Sequence, residues 1–498
     1  MNVNPITRLD YPDPDVIRVE DTYYMVSTTM HFMPGCEILQ SFDLVHWEHV
    51  TYVYETLDHT DAQQLKSGQN IYGQGMWAAS LRYHEGRFYI CFVANDTRKT
   101  YLYTSEKIDG PWKKQLIEGF YHDGSLLFDE DGRNYIVYGN DEIWITELNE
   151  DLTAPKKDGL HRLLVSDHKN PELGYEGSHI QKINGYYYIF LVHSLRDRWM
   201  RTEACFYSDS LEGEFTGGDV LCDDRGYCGQ GVAQGGIVDT PDGKWYAMLF
   251  QDSGAVGRIP ILVPVTWKDH FPFFGQNGHV PEEIEVHSTR PGYIYHPLVG
   301  SDDFCNGLLP RWQFNHDPDP RYYHLDALQG TYTITTREVC TELTQAVNTL
   351  TQRMSYPSCA AEVTVDASAL KEGDVAGLCA LQSCYAAVGI TKHHGKYEVL
   401  MLDKKEDGIL DMTEGTVVES HQMDFRLEAD FCNMKDEARC YYRVNKGDWL
   451  PIGTVHKLYF KLDHFTGCRF GLFCYAAEET GGSACFRDFK YYDVDEIS

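Results

Sequence analysis

Along the first 290 or so residues, the apolar pattern repeats one short motif. A turn residue is followed by an aromatic and β-branched run that carries a tyrosine. The five copies are Asp21-Thr22-Tyr23-Tyr24-Met25, Gly86-Arg87-Phe88-Tyr89-Ile90, Gly132-Arg133-Asn134-Tyr135-Ile136, Gly185-Tyr186-Tyr187-Tyr188-Ile189 and Gly243-Lys244-Trp245-Tyr246-Ala247. Their tyrosines recur at intervals of roughly 45 to 65 residues, which suits a unit of short strands and predicts propeller blades. Asp-Gly in Glu130-Asp131-Gly132 and Pro241-Asp242-Gly243 is a hairpin signal, and Glu85-Gly86 and Asn184-Gly185 take the same place. No long stretch keeps a period of 3.6, so no helical domain is expected.

The register adds a pocket. Eleven or twelve residues before the five tyrosines stand Asp13, Trp77, Asp123, Glu176 and Gln234. Each runs into a short apolar stretch, such as Val16-Ile17 or Leu126-Leu127, that serves as the innermost strand of its blade. Innermost strands surround the propeller axis, so their starts converge at one end of it. Three carboxylates, an indole and an amide are therefore expected around one pocket, on the condition that no strand slips by a residue.

Near residue 290 the pattern changes. Thr289-Arg290-Pro291-Gly292 and Pro297-Leu298-Val299-Gly300 read as linker, and no sixth repeat follows. Alternating runs with Gly and Asp turns take over at Thr331–Ile334, Ala361–Val365, Ala386–Ile390, Leu458–Leu462 and Phe470–Phe473. The expected fold class is all-β. Residues 1–295 form a five-bladed β-propeller, and residues 300–498 form a β-sandwich of jelly-roll or concanavalin-like type.

Composition narrows the partners. A formal net charge of −32 and a pI near 4.9 argue against nucleic acid or an anionic membrane surface. The 15 cysteines form no CxxC pair and read as reduced, buried thiols. Met1-Asn2-Val3-Asn4-Pro5 lacks a basic segment followed by an apolar run, so no signal peptide is expected. No apolar run reaches the roughly 18 residues of a membrane span. Together these predict a cytoplasmic protein. The 21 histidines show no metal-ligand spacing, and His393-His394 reads as a solvated loop. Asp302-Asp303 and Asp488 are the candidates for a structural calcium in the C-terminal domain. No nucleophile elbow, P-loop or dinucleotide fingerprint occurs.

Paired carboxylates suit glycosidic hydrolysis, in which one carboxyl is held protonated and the other ionised. Asp13 lies in Tyr11-Pro12-Asp13-Pro14-Asp15, where flanking prolines restrict the backbone. Glu176 is framed by Gly174 and Gly177, which allow close approach. Asp123 adds a third carboxylate, able to raise the pKa of a neighbouring acid.

Tyr11-Pro12-Asp13-Pro14-Asp15-Val16, His122-Asp123-Gly124-Ser125-Leu126 and Tyr175-Glu176-Gly177-Ser178-His179 resemble the three catalytic motifs of glycoside hydrolase family 43. That family comprises β-xylosidases, α-L-arabinofuranosidases and arabinanases on a five-bladed propeller, and the resemblance covers about residues 4–285. It implies that Asp13 is the general base, that Glu176 is the general acid, and that Asp123 orients Glu176 and tunes its pKa. It also implies inversion at the anomeric carbon and no cofactor for chemistry.

On the substrate side the resemblance implies Trp77 as a sugar wall, although Ala79 stands where the family usually has proline. It implies Arg258 as a donor to sugar hydroxyls and Phe32 as an aromatic near the sugar. Many members carry a histidine where this chain has Gln234, so a metal site built on a central histidine is not expected. His464-Phe465-Thr466-Gly467 is similar to a sandwich segment that closes the pocket with an aromatic, here Phe465. The expected activity is an exo-β-1,4-xylosidase acting on short oligosaccharides. An α-L-arabinofuranosidase or a dual activity is the alternative, and a non-catalytic sugar-binding propeller is the alternative of another class. The oligomeric state stays open.

Overall fold

In the computed structural model, which describes residues 3–493, each repeat opens into a four-stranded antiparallel sheet. The innermost strands of blades I to V are Asp15–Val19, Met76–His84, Ser125–Phe128, Glu176–Ile183 and Ala233–Asp239. The repeat tyrosines lie on the second strands: Thr22–Val26, Arg87–Ala94, Asn134–Asn140, Tyr186–Ser194 and Trp245–Asp252.

Packing explains why the motif repeats. The residue after each repeat tyrosine (Met25, Ile90, Ile136, Ile189, Ala247) is fully buried. Each pairs across to a buried apolar residue of the innermost strand: Val16, Leu81, Leu126, Ile180 and Ile237. Burying an aliphatic side chain contributes about 1.5–3 kcal/mol, so one such pair per blade stabilises the ring substantially.

The ring closes without a covalent link. The N-terminal segment lies along the Arg258–Lys268 strand of blade V. Asn4 exchanges two side-chain hydrogen bonds with the backbone of Leu262, both 2.8 Å. Ile6 N–H donates to Pro260 and Tyr11 N–H to Arg258.

Beyond the propeller, a nine-stranded and a seven-stranded sheet pack face to face. Val363, Val388, Phe425, Phe470 and Phe486 lie buried in their shared core. The expected division of the chain at 295–300 is crossed by one strand. Phe32–Met33, from the propeller segment, pairs with Gln313–Asn315 at the edge of the nine-stranded sheet.

One expectation is corrected. Leu458–Leu462 is loop, because the strand before it, Leu450–Lys457, ends at Lys457. Its apolar alternation comes from a loop that packs Leu458 inward and lays Tyr459 and Phe460 along a cavity. The calcium candidates Asp302 and Asp303 both take part in local hydrogen bonds. Asp302 already accepts from the Phe304 amide and the Trp312 indole, both at 2.8 Å, and Asp303 accepts from the Cys305 amide. Among the described residues, all 15 cysteines are free thiols, nine of them buried. Among the described residues, no helix is long and apolar enough to cross a membrane.

Candidate active site

Each innermost strand begins with a backbone kink. Asp13, Ala78, Asp123, Gly177 and Gln234 adopt positive φ, between 36° and 66°. In blades II, IV and V the kink coincides with a register shift against the second strand. Such strained residues are costly unless their surroundings hold them, and here they aim side chains at a common end of the axis. Gly177 is required as glycine, since a Cβ there would sit 2.7 Å from Gln234 Cγ. Gly174 is required too, because a Cβ would meet the Asp141 carboxylate at 1.9 Å.

Asp13, Trp77, Asp123, Glu176, Gln234, Arg258 and Phe465 line one cavity of about 800 Å³. Asp13 is 7% exposed. Its Oδ1 accepts from Arg258 Nη1 at 2.8 Å and its Oδ2 from the Thr28 hydroxyl at 2.5 Å. Glu176 Oε2 accepts from Asn140 Nδ2 at 2.7 Å, and among the described residues nothing bonds Oε1. Asp123 Oδ2 accepts from the Gly177 amide at 2.9 Å. His122 Nε2 stands 3.6 Å from Asp123 Oδ2 and 3.5 Å from Glu176 Oε2.

Electrostatics separate these groups. Burial pushes the Asp123 carboxyl up to about 6, with His122 opposing the rise and the charges of Glu176 and Asp13 adding to it. The Asp123 charge, aided by Glu176, raises the His122 imidazole to about 9 despite its burial. The site can thus store a proton beside two carboxylates at neutral pH. Beneath it, burial alone would push Asp15 upward. Arg82 and then His179 overcome that cost and hold Asp15 at about 2. Arg82 also reaches Ser125 and the Leu126 and Ile180 carbonyls, tying blades I to IV together at the axis.

The sandwich closes one side. Phe465 lies 5.3 Å from the Trp77 ring, and the Arg258 guanidinium is 4.4 Å from its centroid. Arg258 Nε and Nη2 are buried without a partner, donors left over for a ligand. Gln234 is 5% exposed, and its backbone N–H is held by Glu203, whose carboxyl burial pushes well above the usual range.

Phe32 is a correction. It does not line the cavity. It packs with Leu343, Val375 and Leu381 of the sandwich, under the Arg469 guanidinium at 3.4 Å. Its strand is recruited into the sandwich sheet, which carries the ring away from the pocket.

Sequence reasoning missed His122, Asn140, Arg201 and Asp252, all of which line the cavity. His122 had a signal, as the neighbour of Asp123 in its motif. Arg201 and Asp252 form an ion pair between blades IV and V that no local pattern marks. Among the described residues, His122, Asp123 and Glu176 are also the grouping whose donor atoms lie within reach of a single metal ion.

Residues 3–272 match the model of glycosyl hydrolases family 43, and residues 301–492 match the β-xylosidase C-terminal concanavalin A-like domain. A β-xylosidase of Formosa agariphila is 26% identical over 99% of this chain and 89% of its own. A solved bifunctional GH43-CE structure from Bacteroides eggerthii is 42% identical with a TM-score of 0.93. It is matched over 100% of this chain, which spans 64% of that one. A family 43 enzyme, engineered to display both endo-xylanase and exo-arabinofuranosidase activity, has a TM-score of 0.86 at 27% identity, over 99% of both chains. With three motif carboxylates on one propeller axis and an appended sandwich closing their cavity, the chain belongs to glycosyl hydrolase family 43.

Proposed function

We propose that the protein is an inverting, exo-acting β-1,4-xylosidase that releases xylose from the non-reducing ends of xylo-oligosaccharides. The carrying observation is that Asp13, Asp123 and Glu176 share one cavity, which Phe465 of the sandwich narrows against Trp77. Asp13 acts as general base. Arg258 and Thr28 each engage one of its oxygens, which fixes the carboxylate while leaving lone pairs for a water. Glu176 acts as general acid, with Oε2 anchored by Asn140 and Oε1 available to the leaving oxygen. Water attacks the anomeric carbon and gives its proton to Asp13 as Glu176 protonates the departing oxygen. Asp123 positions the Gly177 peptide beside Glu176 and, with His122, sets the proton balance around it. No cofactor takes part in this chemistry.

The α-L-arabinofuranosidase reading, alone or as a dual activity, is kept as the second. It is favoured by the exo-arabinofuranosidase activity displayed by the engineered structural relative. Fifteen unpaired thiols support work in the cytoplasm on short oligosaccharides.

The test is proton NMR of xylobiose hydrolysis beside an arabinofuranosyl xylo-oligosaccharide. Inversion predicts that released xylose appears first as the α-anomer. Early β-xylose would refute Asp13 as base. Intact substrates that still bind would leave a sugar-binding propeller. Glu176→Ala should slow xylobiose hydrolysis by roughly 10² to 10⁴, and aryl glycosides with acidic phenols far less.

A further inference from the structure

Blade IV carries Glu176 at the start of its innermost strand. The same blade carries Trp199, on the turn between Tyr186–Ser194 and Arg201–Ser208. Both residues line the same cavity. A general acid must reach the oxygen on which the leaving group departs. The aglycone side of the cavity is therefore the blade IV side, and there Trp199 stands 43% exposed.

An exposed indole is not itself a site, but this one is held in place. The turn is closed by Leu195 N–H donating to the Met200 carbonyl at 3.1 Å, and Arg196 pairs with Asp167. The buried Arg201 guanidinium lies 5.1 Å from the Trp199 ring and 5.2 Å from Phe250, and its ion pair with Asp252 fixes it. One ring face is thus held against a cation while much of the indole remains open. A rigid, partly open aromatic beside a polar catalytic centre offers the apolar face of a pyranose a surface at little ordering cost.

We infer that Trp199 is a specificity-determining residue on the aglycone side: the platform on which a sugar beyond the cleaved bond stacks. The inference rests on the reading of Glu176 as general acid. It assigns the preference for oligosaccharides over simple glycosides to blade IV, away from the Trp77–Phe465 wall.

The experiment compares a methyl glycoside with a trisaccharide of the pentose that the wild-type enzyme prefers. Both leaving groups are alkoxides that need a proton, and only the trisaccharide places sugar on the aglycone side. Trp199→Ala should lower kcat/KM on the trisaccharide by about tenfold, mainly through KM, with less than about a twofold change on the methyl glycoside. Trp199→Phe should restore most of the loss. Equal losses on both substrates, or no loss on either, would overturn the platform while leaving the carboxylate roles intact. A wild-type enzyme that cleaves neither substrate would remove the catalytic reading and this one with it.

Discussion

The Gly177 amide donates to Asp123 Oδ2 over 2.9 Å, so blade III holds the peptide that follows Glu176 on blade IV. Asp123 therefore has two separable effects: a hydrogen bond that positions, and a charge that governs protons. Asp123→Asn keeps an acceptor for Gly177 and removes the charge, whereas Asp123→Ala removes both. The Asn variant should lose about a hundredfold in kcat, and the Ala variant more, with a lower Tm. Steady-state kinetics and thermal melts of the two variants check this. Equal kinetics and equal Tm would show that the bond to Gly177 positions nothing.

Phe465 reaches the cavity from a sandwich loop and packs on both Trp77 and Arg258. Phe465→Ala should cut kcat/KM by about tenfold or more, chiefly as a rise in KM, with an unchanged far-UV spectrum. An unaltered KM would mean that the sandwich does not complete the sugar site.

The two halves share a buried ion pair. Arg353 of the sandwich donates to Glu37 of blade I at 2.8 Å and to the Asp10 carbonyl at 2.9 Å, over the Tyr11 ring. Arg353→Met leaves the Glu37 charge with His49 alone, at 3.0 Å, and should destabilise the protein by up to roughly 3–5 kcal/mol. Calorimetry should show the propeller and sandwich melting together at a lower temperature. A propeller transition that stays in place would contradict the coupling.

Three fully buried histidines, His31, His316 and His464, gather where the halves meet. The ring of His31 lies 4.8 Å from that of His316 and 5.0 Å from that of His464. Neither nitrogen of His31 or His464 has a hydrogen-bond partner. Burial holds His31 and His316 well below 6.5 and His464 at about 3. Arg469 and the neighbouring imidazoles add to the lowering, and Asp463 opposes it at His464. The unfolded chain takes up protons below about 6.5 while the folded state resists until far lower. Stability is therefore fully present above pH 6.5 and is lost as pH falls toward 3. At pH 5 the loss is on the order of 2 kcal/mol per imidazole. Melting curves from pH 7 to 4 should have a shallower pH slope in His464→Asn than in the wild type. An identical slope would exclude His464 as a source of acid sensitivity.

The propeller and its carboxylates were legible because a fivefold repeat states each structural position five times. The turn signals and the buried residue after each tyrosine agree with one another, and that agreement fixed the register of Asp13, Asp123 and Glu176. Phe32 was not legible, because the fate of its ring depends on which sheet captures a two-residue strand, here one built nearly 300 residues later. Leu458–Leu462 shows the converse. A loop lying along a cavity keeps apolar residues as a strand does, because Leu458 fills the core and Tyr459 and Phe460 line the cavity. The Arg201–Asp252 pair depends on the neighbouring blade and has no local signature.

The N-terminal segment that closes the ring also delivers Asp13. The segment docks on Leu262, Pro260 and Arg258, and Arg258 is the residue that grips the Asp13 carboxylate. Asp13 and its guanidinium partner come from opposite ends of the propeller sequence and meet only when the circle is complete. A nascent or partly opened chain therefore holds Glu176 and Asp123 without Asp13 in place beside them. Turnover then reports ring integrity, and activity should vanish at the first breach of the seam, before the blades themselves come apart.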